Sequence, residues 1–235
     1  MDNNSVLSSA KQRENLFLKK VYLWMAGGLL VTALTAFLVA SSATLMRALY
    51  SNALPLILLF VAEFAIVFIL SGRIEKLSSG AAIGCFLAYS TINGATLSSL
   101  VYLYAGTNIL SLAFVTTAVV FVVAALYGTF TKRSIKGWGG WLSMGLIAII
   151  VVSLVNMFIG SSRLDMIISI AGVAIFTLLT AWDSQKVLAM NNNYGAMMSE
   201  DELNKISILG ALELYLDFIN ILLYLVRIFA SRRDN

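Results

Sequence analysis

Four acidic residues stand inside or at the edge of strongly apolar stretches: Glu63, Asp183, Glu213 and Asp217. In a bilayer each costs roughly 2–3 kcal/mol or more unless it is paired, protonated or wet. Two of them open a longer pattern. Glu213, Asp217, Asn220, Tyr224 and Arg227 follow one another at steps of four, three, four and three in the run ISILGALELYLDFINILLYLVRIF. On an α-helix that spacing makes one continuous polar stripe. Such a stripe cannot face lipid cheaply, so the last helix is expected in the middle of a bundle. Asp183, at the end of the preceding apolar segment in TLLTAWDSQKV, is expected to meet Asp217 there. Two carboxyls in contact cannot both ionise easily, so the pair shares a proton. The chain contains no histidine, which leaves this pair as its best pH sensor.

Carboxylates together with Asn220 and backbone carbonyls are hard oxygen ligands, suited to Ca²⁺ and not to zinc or copper. Asp183 and Asp217 are the expected transient Ca²⁺ ligands. No dense cage of the six to eight oxygens a tight site needs is visible, which suits passage better than storage. Glu213 lies one turn before Asp217, where like charges repel. Glu63 could join the set, and Arg73, at the end of its segment, could exchange as a partner for either Asp. Arg73, Arg227 or backbone donors could also neutralise the acids structurally. For four acids in one small bundle that explanation runs short of cations.

The elements that must position these groups follow from composition. Of 235 residues, 60% are hydrophobic and 12% charged, and mean hydropathy is +0.88. A soluble domain is about 45–50% apolar and about 25% charged. The expected fold is an all-α membrane protein with seven transmembrane helices, at Val21–Ala40, Leu54–Leu70, Ala81–Tyr104, Ile109–Phe130, Trp141–Ile159, Met166–Leu188 and Ile206–Phe229. Residues 1–20 form a cytoplasmic tail, 21–229 the transmembrane domain and 230–235 a short C-terminal tail. The single cysteine, Cys85, allows no internal disulfide. The net charge of +4 is spread over short loops and signals topology, not nucleic-acid binding. One membrane face collects Lys11, Arg13, Lys19, Lys20, Arg73, Lys76, Lys132, Arg133, Lys136, Lys186 and Lys205. The other holds Arg47, Arg163, Arg227, Arg232 and Arg233. The positive-inside rule then places the N-terminus in the cytoplasm and the C-terminus outside.

Other features are assigned to packing. Gly80 and Gly84, continued by Ala88, form a small-residue motif that would let two helices approach closely. Ser90, Thr91, Asn93, Thr96, Ser98 and Ser99 are expected to make interhelical hydrogen bonds. Gly137 to Trp141 reads as a flexible turn with interfacial tryptophans.

TAWDSQK, ILGALELYLDFINILLYLVRIF, VYLWMAGGLLVTAL, YSTINGATLSSLVYLY and YGTFTKR together resemble the transmembrane Bax-inhibitor-motif family, in particular its bacterial inner-membrane members. The resemblance covers the chain from about Leu16 onward. It implies a seven-helix fold with the last helix wrapped by the other six. It implies a pH-sensitive calcium leak channel of the cell inner membrane, governed by an aspartate pair that falls on Asp183 and Asp217. Glu63 and Arg73 would take the places of the family's pore acid and basic latch, with Glu213 and Asn220 beside the path. Glu213 stands where many relatives carry a neutral residue. No cofactor is implied beyond Ca²⁺ as the permeant ion.

The alternative is a non-transporting protein that binds and modulates a membrane protease or another membrane partner. An intramembrane aspartyl protease fits poorly, because Asp217 sits in Leu-Tyr-Leu-Asp and not in a glycine-rich context. A cation/proton antiporter lacks the broken helices expected of many transporters. No enzymatic activity is expected.

Overall fold

A computed structural model describes residues 3–194 and 199–232, with side chains for 15–190 and 199–232. The ends of both expected tails, the side chains of Lys11 and Arg13, and Arg233 lie outside the described residues. Every regular element is helical: α1 (Asn3–Ala40), α2 (Ala43–Tyr50), α3 (Ala53–Arg73), α4 (Ser79–Leu103), α5 (Ile109–Phe130), α6 (Trp138–Ile159), α7 (Ser162–Tyr194) and α8 (Glu200–Ser231), with one 3₁₀ turn at Ile74–Lys76. Six of these helices are long and apolar enough to cross a membrane: α1, α3, α5, α6, α7 and α8. The 25-residue α4 is long enough but is not among the six. It carries the Ser, Thr and Asn series expected to bond between helices. Phe64 and Phe68 are each 76% exposed, and Phe158 is 84% exposed. Aromatic exposure on this scale on long apolar helices is the surface that a bilayer covers.

Several boundaries differ from those expected, for local physical reasons. The segment before Val21 is helical from Asn3. It continues α1, since nothing between Asn3 and Ala40 breaks a helix and the chain's one proline is Pro55. α8 begins at Glu200, not at Ile206, because Ser199 and Glu202 form a capping box. The Ser199 N–H donates to Glu202 Oε2 at 2.9 Å and the Glu202 N–H donates to Ser199 Oγ at 3.3 Å. The short α2 is an element that the hydrophobic segments did not reveal. Ser42 caps its start, accepting from the Leu45 N–H at 3.4 Å, and Asn52 caps α3, accepting from the Leu54 N–H at 3.0 Å. Pro55 falls in the first turn of α3, where its missing N–H leaves no helix bond unmade.

The chain gathers into two compact units, Met1–Gly106 with Met190–Tyr215, and Thr107–Ala189 with Leu216–Asn235. In the first, α1 packs on α4 through Gly28 and Gly94. A Cβ on Gly94 would stand 2.5 Å from the Thr32 carbonyl oxygen, and one on Gly28 would stand 2.5 Å from the Phe86 ring. Gly80 and Gly84, the pair expected to make the close approach, face open space. A small-residue spacing permits contact, but among the described residues nothing lies within 4 Å of a Cβ at either position. Tyr50 ties α2 to α4, its hydroxyl donating to the Thr96 carbonyl at 2.9 Å and accepting from the Ser99 N–H at 3.2 Å.

In the second unit Phe218 of α8 meets Phe114 and Phe121 of α5 edge-on, with ring centroids 5.7 and 5.6 Å apart. Gly172 of α7 leaves room for the Tyr224 ring, 2.5 Å from where its Cβ would be. Gly139 does the same for Trp182, at 2.5 Å. The stretch from Gly137 to Trp141 is therefore not a flexible turn. Trp138 opens α6, and Gly139 is seated against the indole of α7.

Candidate functional site

α8 is the most buried of the candidate spans, with 61% of its best window buried against 11–39% for the others. Its fully buried side chains, including Ile208, Leu212, Leu214, Tyr215 and Ile221, cover about half of the helix circumference. The polar stripe rides along this helix. Asp217 is buried, Glu213, Asn220 and Tyr224 are half-buried, and Arg227 is exposed. Asn220 spends one N–H on its own helix, donating to the Leu216 carbonyl at 2.8 Å. Arg227 faces Asp165 of α7 at 3.8 Å and lies over the Tyr224 ring.

Asp183 of α7 and Asp217 of α8 belong to the second unit and are 7% and 4% exposed. Lys186, one turn after Asp183, holds its Nζ 4.0 Å from the Asp183 carboxyl and lies over the Trp182 ring. At that distance the pair is an ion contact and not a hydrogen bond. The residues flanking Asp183 have a visible structural task. Gln185 Nε2 donates to the Arg133 carbonyl, and Gln185 Oε1 accepts from the Ile135 N–H, both at 2.9 Å. Trp182 Nε1 donates to the Lys136 carbonyl at 3.3 Å. Ala181 and Trp182 pack with Ala124 around the buried Ile135. TAWDSQK thus fastens the α5–α6 loop to α7, with Asp183 between the two side chains that hold it.

Glu63 lies in the first unit, 9% exposed on α3. Thr96 of α4 donates to its Oε1 at 2.9 Å. Beside it runs a network that sequence reasoning missed. Tyr215 Oη donates to Asn93 Oδ1 at 3.0 Å and lies 2.6 Å from Thr32 Oγ1, joining α8, α4 and α1. The Tyr215 ring is itself wedged edge-on between Phe86 and Tyr89, at 5.9 and 5.7 Å. The signal available was a tyrosine inside the acidic run LELYLD, but Tyr215 is off the stripe and reads as core. Of the α4 series, Asn93, Thr96, Ser98 and Ser99 do bond between helices, whereas the Ser90 and Thr91 hydroxyls turn back to Phe86 and Leu87 of their own helix. Arg73 ends α3 exposed. Among the described residues no three His, Cys, Asp or Glu side chains gather into a metal-binding group.

The sequence profile described as "Inhibitor of apoptosis-promoting Bax1" matches residues 14–234. The chain belongs to the Bax inhibitor-like family. It is 44% identical over 217 residues to the inner membrane protein YbhL of Escherichia coli K12, covering 92% of each chain. An uncharacterized protein of Borreliella burgdorferi is 39% identical, covering 94% of each. The uncharacterized protein YrjE of Lactococcus lactis is 34% identical over this whole chain and 98% of its own. Family membership and the six long apolar helices make this chain a multi-pass membrane protein.

Proposed function

We propose that this protein is a pH-sensitive leak pathway for Ca²⁺ across a bacterial inner membrane, gated by a proton shared between Asp183 and Asp217. The observation that carries it is the burial of both carboxyls in two consecutive membrane helices. An ionisable side chain inside a membrane bundle marks an ion or proton path by default. In this proposal seven helices span the membrane, with α4 as the seventh and the deeply buried α8 at the centre. The N-terminus is cytoplasmic. Glu63 lines the path and Arg73 acts at its end as a latch, while Glu213 and Asn220 sit along it on α8. Ca²⁺ is cargo, no cofactor is used and no bond is made or broken.

The family membership supports this class of function, and the inner-membrane name of the Escherichia coli relative supports the location. The test is Ca²⁺ flux of purified protein in liposomes across pH, for the wild type and for Asp183→Asn with Asp217→Asn. The double variant is expected to lose the pH dependence. An unchanged pH profile removes the pair from the sensor role. Absence of flux from the pure wild type, with a stoichiometric partner on co-purification, supports instead a regulator of a membrane protease or another partner.

A further inference from the structure

We propose that the α5–α6 loop is a binding site for the headgroup of an anionic phospholipid. Lys132, Arg133 and Lys136 are all exposed, and among the described residues none of the three forms an ion pair. The chain carries no acidic residue between Glu75 and Asp165, so no counter-ion comes from the loop or from the helices that flank it. The loop is held in shape from behind. Its carbonyls at Arg133 and Lys136 and its N–H at Ile135 are bonded by Gln185 and Trp182, and the Ile135 side chain is 2% exposed. These three backbone groups are thereby occupied, and the basic side chains of the loop are left for a ligand.

The same turn of α7 carries Lys186, about one-third exposed, seated over Trp182 and already 4.0 Å from the Asp183 carboxyl. Trp141, 77% exposed on the first turn of α6, and the exposed Trp138 mark this end of the helix as the headgroup level. Three basic side chains on a fastened loop beside an interfacial tryptophan match a phosphate at the bilayer surface. A basic residue near a bilayer surface favours anionic lipid by about 1 kcal/mol, which is about fivefold in binding.

The test uses the full-length protein in liposomes and reads the fraction of spin-labelled lipid immobilised at the protein boundary. Phosphatidylglycerol is expected to be immobilised in preference to phosphatidylcholine. Lys132→Gln, Arg133→Gln and Lys136→Gln together should cut that preference by at least about fivefold. Lys132→Arg with Lys136→Arg should keep it, and Arg163→Gln, outside the loop, should leave it unchanged. Gln185→Leu keeps every charge but frees the loop, and should lower the preference by about half. Equal immobilisation of the two lipids by the wild type overturns the proposal. Full preference in the triple variant does the same, and full preference in Gln185→Leu shows a diffuse charge effect in place of a built site. Millimolar inorganic phosphate should not displace the lipid; displacement would mean a site for free phosphate and would overturn the assignment to lipid.

Discussion

Tyr215 gives the sharpest test of how the buried polar groups are held. Its ring is fully buried, and its hydroxyl joins Asn93 of α4 and Thr32 of α1. Tyr215→Phe keeps the ring and both edge-on aromatic contacts, and removes only the hydroxyl. Two hydrogen bonds are lost. Interhelical bonds of this kind in membrane bundles are worth about 0.6 kcal/mol on average and up to about 1.7. Loss of the hydroxyl also leaves the buried Asn93 Oδ1 and Thr32 Oγ1 each one partner poorer. The expected loss for Tyr215→Phe is therefore about 1–3 kcal/mol. Thr32→Val removes the other side of the 2.6 Å contact at nearly constant shape and should cost about 1 kcal/mol.

The double variant carries the decision. If the hydroxyls bond each other, its loss falls short of the sum of the two single losses by about 0.6–1.7 kcal/mol. The assay is reversible unfolding in mixed detergent micelles, followed by helical circular dichroism as the denaturing detergent fraction rises. Additivity within about 0.3 kcal/mol, or a Tyr215→Phe variant as stable as the wild type, would refute the network.

Two further expectations follow from the same contacts. Gly94→Ala should destabilise by about 1–3 kcal/mol, because the new methyl meets the backbone oxygen of Thr32 and the Cβ of Thr35 at 2.5 and 2.7 Å; Gly84→Ala should be neutral or stabilise by up to about 1 kcal/mol, and equal effects of the two in the unfolding assay would contradict the α1–α4 packing. Glu63→Gln retains an oxygen for the Thr96 hydroxyl, so stability should stay within about 1 kcal/mol of the wild type while Ca²⁺ flux in liposomes falls several-fold; a normal flux would take Glu63 out of the path.

The long helices were legible because a membrane leaves little choice: an apolar run of some twenty residues has to be a helix. Their ends were not, because hydropathy is silent about caps. The Ser199–Glu202 box was written in the sequence as Ser-x-x-Glu, yet it lies outside the apolar run that defined the segment. α2 was hidden because its eight residues are too few to span a membrane. The small-residue motif at Gly80 and Gly84 failed for a different cause. Spacing tells which residues share a face of α4, but not which face meets α1, and that face carries Gly94 and Phe86. The acidic candidates survived as buried groups where a helix neighbour covers them. The bonds of Tyr215 could not be read from sequence, since they depend on three helices meeting at one oxygen.

The buried acids now weigh differently against the view that they are merely neutralised in place. That view needed cations, and the candidates were Arg73 and Arg227. Arg227 faces Asp165, and Arg73 is exposed at the end of α3. The cation beside Asp183 is Lys186, at 4.0 Å and one-third open to the surface, a contact of the kind worth about 0–1 kcal/mol. That contact alone does not offset the roughly 2–3 kcal/mol that a buried charge costs in a bilayer. Glu63 accepts from the Thr96 hydroxyl at 2.9 Å. The acids thus divide into two kinds. Glu63 takes a hydrogen bond from Thr96 within the first unit, whereas Asp183 and Asp217 are buried on consecutive helices in the second. In the proposal the two aspartates, both deeply buried on consecutive helices, carry the gating, and Glu63 lines the path.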